Sequence, residues 1–133
     1  MNNINQIFNN NARLYKDHPL FWYKNDSKWT YISWNNALKE IKLLCNILKS
    51  YEIKKNDKVA IISPNSPQWC IADLSIMNLG AITVPGYITS NENEILYLLN
   101  HSECQAAFVS FDILTKIKKI RHKLKFLKFL ICF

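Results

Sequence analysis

The sequence predicts an α/β fold: a mostly parallel sheet with helices on both faces, preceded by a β-hairpin and an amphipathic helix. Apolar runs of strand length, such as residues 58–63, alternate with longer segments of helical periodicity. The runs show no polar alternation, which is typical of parallel strands buried on both faces. Capping residues stand before several of the helical segments, and a glycine follows one of them.

The first 50 residues predict two helices and a hairpin. Residues 2–11 are rich in Asn and begin a short helix. Two β-prone runs, 20–23 and 29–32, flank turn formers at 24–28, which indicates a hairpin. Ser33 can cap the next helix, over 34–50. That helix carries one apolar stripe at helical spacing: Ala37, Leu38, Ile41, Leu44, Cys45 and Leu48.

The remaining residues alternate strands and helices. After the strand at 58–63, Ser66 and Pro67 suit the start of a helix over 67–79, and Gly80 suits its end. A second buried strand is expected at 81–85. Asn91 and Glu94 form a capping-box pattern for a helix that runs to about residue 101. A strand at 104–109, a helix over 112–123 and a strand at 126–133 complete the pattern.

Composition limits the class of protein. The chain has 133 residues, of which 49% are hydrophobic and 20% charged, as in one globular domain or part of one. No apolar run is long enough to span a membrane, and residues 1–11 show no secretory signal pattern. The chain contains two glycines, Gly80 and Gly86, which is too few for a glycine-rich phosphate loop.

Charge is distributed unevenly along the chain, whose net charge is +7. Residues 59–115 contain five acidic side chains and no Lys or Arg, whereas residues 116–133 contain seven basic side chains and no acidic one. Such a run can attract nucleic acid or anionic lipid. A solvated helix face is the favoured interpretation, since no aromatic pattern for stacking bases accompanies the run.

Cysteine and histidine spacing predicts neither disulfides nor a metal site. Cys45, Cys70, Cys104 and Cys132 form no C-x-x-C pair and have apolar neighbours, which favours free buried thiols in a reducing cytoplasm. The three histidines also stand apart, in no cluster with metal-ligand spacing: His18, His101 and His122.

Several side chains have both a functional and a structural interpretation. Asp73, in an apolar helix, could face a substrate channel, but a solvent-facing or backbone-paired carboxylate is favoured. Ser63 and Ser66 lack a histidine base in any recognisable pattern, so neither is expected to be a nucleophile. Large aromatic residues could line a substrate tunnel, but packing in the core or at a subunit contact is favoured for Trp22, Trp29, Trp34, Trp69, Tyr87 and Tyr97.

Short segments in a specific order resemble the N-terminal part of AMP-forming acyl-CoA synthetases, within the adenylate-forming ligases. They are residues 29–34 (WTYISW), 47–61 (ILKSYEIKKNDKVAI) and 64–69 (PNSPQW). Further segments look most like the long-chain fatty acid branch: residues 71–76 (IADLSI), 80–85 (GAITVP), Tyr87, 97–99 (YLL), 101–103 (HSE), 116–121 (KIKKIR) and 127–131 (LKFLI). Gly86 differs from the apolar residue that usually follows Val-Pro in this family.

The resemblance implies a two-step reaction that uses ATP, Mg²⁺ and coenzyme A. A fatty acid carboxylate attacks the α-phosphate of ATP, and coenzyme A then displaces AMP to form the thioester. The family's phosphate loop, its aromatic-Thr-Glu segment, its ribose-binding Asp and its catalytic Lys match nothing in residues 1–133. We therefore carry over no catalytic, cofactor-binding or metal-binding residue, and expect this chain alone to bind none of these cofactors.

Three hypotheses follow. The first is that residues 1–133 are a partial N-terminal AMP-binding domain of a fatty acid–CoA ligase, inactive alone, an incomplete subdomain of the adenylate-forming fold. The second is a non-catalytic interaction module of the same fold, which pairs with a separately encoded remainder. The third, less favoured, is a basic binder of membrane or nucleic-acid surfaces; no nucleic acid is expected as a partner.

The resemblance also predicts solution behaviour. The strand at 126–133 or another sheet edge should lack a neighbour, so we expect self-association or poor solubility of the isolated chain. We expect a cytoplasmic location, with peripheral membrane association left open because the substrates of this branch are apolar.

Overall fold

The computed structural model describes residues 3–133. It contains six strands and five α-helices in the order α1 (Ile4–Tyr15), β1 (Pro19–Asn25), β2 (Lys28–Ser33), α2 (Trp34–Ser50), β3 (Lys58–Ile62), α3 (Pro67–Asn78), β4 (Ile82–Pro85), α4 (Glu92–His101), β5 (Ala106–Val109), α5 (Phe111–Ile120) and β6 (Phe129–Cys132). A 3₁₀ turn, Arg121–Lys123, follows α5. The predicted α/β class is confirmed.

The four later strands form a parallel sheet in the order β4-β3-β5-β6. Alternate residues of β3 face opposite sides, so the strand contributes to two apolar layers. Ala60 and Ile62 pack against α4 and α5, whereas Val59 and Ile61 pack against α2 and α3. Helices therefore cover both faces, which is why the buried strands read as continuous apolar runs.

The first three elements form a separate apolar cluster with α2. Phe8 and Ala12 of α1 pack with Ile32 of the hairpin and with Ala37 and Ile41 of α2. In the hairpin, Asn25 pairs with Lys28. Asp26 and Ser27 form the turn, with φ angles of 46° and 68°. Two residues with positive φ suit the right-handed twist of a hairpin, so the predicted turn at 24–28 is tighter than expected.

The helix-start signals in the sequence are confirmed. The side chains of Ser33 and Ser66 accept hydrogen bonds from the backbone N–H groups of Asn36 and Trp69. Asn91 and Glu94 form the reciprocal capping box of α4. Gly80 ends α3 with a φ of 69°, a conformation that glycine adopts without strain.

Several predicted elements differ in detail, among them the strand at 104–109, which begins at Ala106. The strand at 81–85 was expected to be buried, but β4 is an edge strand with partly exposed side chains. The last strand begins at Phe129 rather than 126, because Leu124 and Leu127 are buried in the loop before it. The last α-helix ends at Ile120, where the 3₁₀ turn replaces its predicted final residues. The first helix extends to Tyr15, and the part predicted at residue 2 lies outside the described residues.

Candidate functional site

The carboxyl edge of the sheet is where ligands bind in open parallel α/β sheets. A groove of about 600 Å³ opens there, between the end of β4 and the first turns of α4. We call it the β4–α4 groove. It is lined by Pro85, Gly86, Tyr87, Thr89, Ser90, Asn91, Asn93, Glu94, Tyr97 and Leu98.

Gly86 sets the depth of this groove. Its N–H donates to the carbonyl of Ile61, at 2.9 Å, which holds the loop against β3. A Cβ at this position would lie 2.8 Å from Ile62 Cγ1 and 2.8 Å from Leu98 Cδ2. Only glycine therefore fits without movement of its neighbours, which explains why an apolar residue is absent here.

The polar groups at the start of α4 bind one another in this groove. Asn91 Oδ1 accepts hydrogen bonds from the N–H groups of Asn93 and Glu94, and Glu94 Oε2 accepts one from the N–H of Asn91. Lys116 Nζ donates to the carbonyl of Ser90 at 2.7 Å. The one charged side chain that lines the groove, Glu94, repels phosphate. The arrangement stabilises the start of α4 and engages the backbone N–H groups of Asn91, Asn93 and Glu94.

The candidate nucleophiles have structural roles. Ser66 Oγ caps α3, and Ser63 is 8% exposed. No hydrogen bond joins either serine to a histidine within residues 3–133. Activation of a serine requires such a base, and the expectation that neither serine is a nucleophile stays a prediction.

Asp73 pairs with a side chain, not with solvent or backbone as the sequence favoured. Its Oδ1 accepts a hydrogen bond from Thr83 Oγ1 at 2.6 Å, which links α3 to β4. The contact joins residues ten positions apart in a β-α-β unit, and no local motif predicts it. This hydrogen bond explains why the Asp73 carboxylate can be partly buried, so a substrate channel is not needed to explain its position.

The four cysteines are free, as predicted. Burial raises the pKa of the Cys45, Cys70 and Cys104 thiols above their ordinary value. At Cys70, the negative charge of Asp73 raises the pKa further. These three thiols are therefore poor nucleophiles near neutral pH. The prediction that all four are buried is wrong: Cys132 is exposed on β6, and only Cys104 is fully buried.

The large aromatic residues do not line a common tunnel. Trp34 stacks at an angle on Phe8 in the cluster of α1 and α2, and Trp69 packs beneath the sheet, both as expected. Trp22 and Trp29 lie on the outer face of the hairpin and are 58% and 64% exposed, which contradicts core packing, whereas a subunit contact stays a prediction. Tyr87 and Tyr97, beside the β4–α4 groove, are likewise exposed for most of their surface.

No metal centre or membrane span is found in the described part of the chain. Within residues 3–133, no three His, Cys, Asp or Glu side chains converge as metal ligands. None of the helices there has both the length and the apolar character needed to cross a bilayer.

A family model described as AMP-binding enzyme matches residues 8–131, nearly the whole chain. The chain belongs to this family. The resemblance seen in the sequence segments is thereby confirmed, and the curated relatives carry the names of acyl-CoA ligases.

Two relatives illustrate the range of acyl-CoA ligases to which this chain is similar. The long-chain-fatty-acid–CoA ligase FadD15 of Mycobacterium tuberculosis is 30% identical over 96 residues, which are 72% of this chain and 16% of that protein. The mitochondrial acyl-coenzyme A synthetase ACSM2 of Rattus norvegicus is 28% identical over 116 residues, which are 83% of this chain and 20% of that protein.

Solved structures show the same fold. An anthranilate–CoA ligase, AuaEII, in complex with anthranoyl-AMP, superposes with a TM-score of 0.90 at 20% identity, over 99% of this chain and 25% of its own. The N-terminal domain of FACL13 from Mycobacterium tuberculosis gives 0.89 at 19% identity, over 99% of this chain and 34% of its own. The present chain thus spans between 16% and 34% of these relatives and solved structures.

Proposed function

We propose that this chain is the N-terminal scaffold of an ATP-dependent ligase that activates a fatty acid as acyl-adenylate and transfers it to coenzyme A. The family match over residues 8–131 carries the proposal. The long-chain branch is supported by FadD15 and by the fatty acyl-CoA synthetase A of Dictyostelium discoideum, which is 34% identical over 80 residues, 60% of this chain and 12% of that protein.

We propose that the described residues do not themselves hold the nucleotide or its Mg²⁺. The amides at the start of α4 are engaged by Asn91, and the close approach of Gly86 is made to Ile62 and Leu98 rather than to an open cradle. Lys116 reaches the edge of the β4–α4 groove and donates to the Ser90 carbonyl. No chemical step is therefore assigned to residues of this chain, and the nucleotide chemistry is proposed to reside in other parts of the complete enzyme.

The proposed role of this chain is to form a structural support for the other parts of the complete enzyme. Its two apolar layers fix β3 and β5, whose side chains in the sheet are almost completely buried. The edge of β6 has no strand beside it within residues 3–133 and can continue the sheet into further strands.

The gene beyond codon 133 tests the proposal. A continuing reading frame with a Gly/Ser/Thr-rich phosphate loop, whose longer product forms acyl-CoA from palmitate, ATP and coenzyme A, is the expected result. A longer product that folds but forms no thioester with any fatty acid would contradict it. A stop at codon 134, together with a partner gene that lacks this N-terminal part, would favour the interaction module.

A further inference from the structure

Six large apolar residues on α1 and the hairpin are exposed to solvent, although neighbouring side chains of the same elements pack in the core. They are between 46% and 69% exposed, and we call them the α1–hairpin surface: Ile4, Ile7, Leu14, Trp22, Trp29 and Tyr31. From this surface we infer that the protein forms a twofold dimer, in which the α1–hairpin surface contacts the same surface of a second copy.

The outward side of α1 carries an apolar stripe. Ile4, Ile7 and Leu14 recur at spacings of three and seven residues, so they lie on one side of the helix over about 15 Å. The neighbouring side carries Phe8 and Ala12, which pack against α2 and the hairpin. The apolar part of α1 is therefore wider than the part that the core covers, whereas the solvent side of a surface helix is usually polar.

The outer face of the hairpin is aromatic. Trp22 lies opposite Tyr31 in the strand register, and Trp29 lies opposite Lys24. Opposite residues and every second residue of a strand share a face, so the three rings lie together on one side. The ring centroids of Trp22 and Tyr31 are 5.0 Å apart, and Lys24 Nζ lies 5.5 Å from the centre of the Trp29 ring. These contacts hold the aromatic face in one arrangement.

A cavity joins the stripe of α1 to the aromatic face. It has a volume of about 530 Å³ and is lined by Leu14 of α1, by Tyr31 of the hairpin and by the connecting residues 16–19. The two apolar faces are therefore parts of one continuous surface. Contiguous exposed apolar surfaces of several hundred Å² mark interaction sites in soluble proteins.

The exposed area of the α1–hairpin surface suits a contact between two copies. A whole aromatic side chain has about 150–250 Å² and an aliphatic one somewhat less, so the exposed parts of the six residues amount to roughly 500–700 Å². Two copies in contact therefore bury about 1,000–1,400 Å² together, which reaches the roughly 1,000 Å² expected of a specific interface. Tryptophan and tyrosine are also enriched in the cores of such interfaces.

The charges that border this surface favour a second copy as the partner. Lys16 and Asp17 line the central cavity, and Asp26 and Lys28 lie at the hairpin turn, so both signs of charge occur at each place. A twofold contact brings a surface against itself and therefore requires a self-complementary surface. Paired signs meet that condition, whereas a strongly acidic or strongly basic partner would gain little from them.

Sedimentation velocity of the chain 1–133 tests this inference. All samples carry Cys132→Lys, which opposes association through the edge of β6 and leaves the α1–hairpin surface unchanged. We expect a monomer–dimer equilibrium with a dissociation constant in the micromolar range, as for other small interfaces. Tryptophan fluorescence should shift to shorter wavelength as the dimer forms, because Trp22 and Trp29 lose contact with water.

Two substitutions on different elements locate the interface. Ile7→Lys on α1 and Trp22→Lys on the hairpin each place a charge in the contact, and each should weaken dimerisation at least about tenfold. The control Tyr97→Lys replaces an exposed aromatic residue by the same charge on α4, which packs on the other face of the sheet. It should change the dissociation constant by about twofold or less, as expected of a residue outside the contact. Circular dichroism of each variant verifies that the fold is retained.

Other outcomes would overturn the inference. They are a chain that stays monomeric at millimolar concentration, a dimer that tolerates either Ile7→Lys or Trp22→Lys, or equal weakening by all three substitutions. A longer gene product that is monomeric yet shields Trp22 and Trp29 from an acrylamide quencher would also overturn it, because another part of the enzyme would then cover the surface. The assay measures no ligase activity, so its failure leaves the proposed function untouched.

Discussion

Single residues in this chain mainly serve packing, even where their chemistry suggests more. Asp73 is held by Thr83, Ser66 caps a helix, and Gly86 allows β3 and α4 to approach the loop between them. The sequence pointed to the caps, because capping depends on neighbours three residues away. It could not predict the Asp73–Thr83 contact or the fit of Gly86, which arise only when elements distant in sequence meet.

Gly86→Ala should destabilise the chain by about 1–3 kcal/mol, because the added methyl overpacks Ile62 and Leu98. Urea denaturation followed by circular dichroism measures the loss. The control Thr89→Ala alters an exposed residue of the same loop and should stay within about 0.5 kcal/mol of the parent. A Gly86→Ala chain as stable as the parent would refute the close approach.

Thiol labelling should show one fast cysteine. Cys132 is exposed. Burial raises the pKa of Cys45, Cys70 and Cys104, so a smaller fraction of each is present as the reactive thiolate near neutral pH. With a chromogenic disulfide at about pH 8, below the ordinary thiol range, Cys132→Ser should abolish the fast phase. As the pH rises the slow phase should accelerate. Retention of the fast phase in that variant would show that a buried thiol is accessible.

Secondary-structure elements followed closely from the sequence where burial is complete. β3 and β5 are covered on both faces and read as continuous apolar runs. At the edges of the sheet the same apolar pattern does not indicate complete burial, because β4 and β6 are equally apolar yet partly exposed. Position within a sheet depends on strand order, which no single segment encodes.

The free edge of β6 should make the isolated chain self-associate. Cys132→Lys places a charge at an exposed position of this strand, and charged residues on edge strands oppose pairing with another chain. Sedimentation velocity under reducing conditions should show weaker association than for the parent. Asn46→Lys, which adds the same charge on the exposed side of α2, is the control; equal effects of both would indicate general repulsion instead.

At the scale of the whole molecule, residues 3–133 form three apolar clusters. The scarcity of glycine, and family segments that belong to sheet and helices, predict that the reactive groups lie in other parts of the enzyme, and this stays a prediction. The outer aromatic face of the hairpin, with Trp22 and Trp29, was not foreseen, because exposure on a two-stranded hairpin depends on what lies beside it.

Titration of Mg²⁺-ATP into the chain 1–133, followed by calorimetry and by the amide NMR signals of the β4–α4 groove, tests the central claim most directly. If the nucleotide machinery lies outside these residues, no saturable binding occurs up to millimolar ATP and the signals of Gly86, Asn91 and Glu94 do not move. Saturable one-to-one binding, with shifts centred on that groove, would contradict the claim.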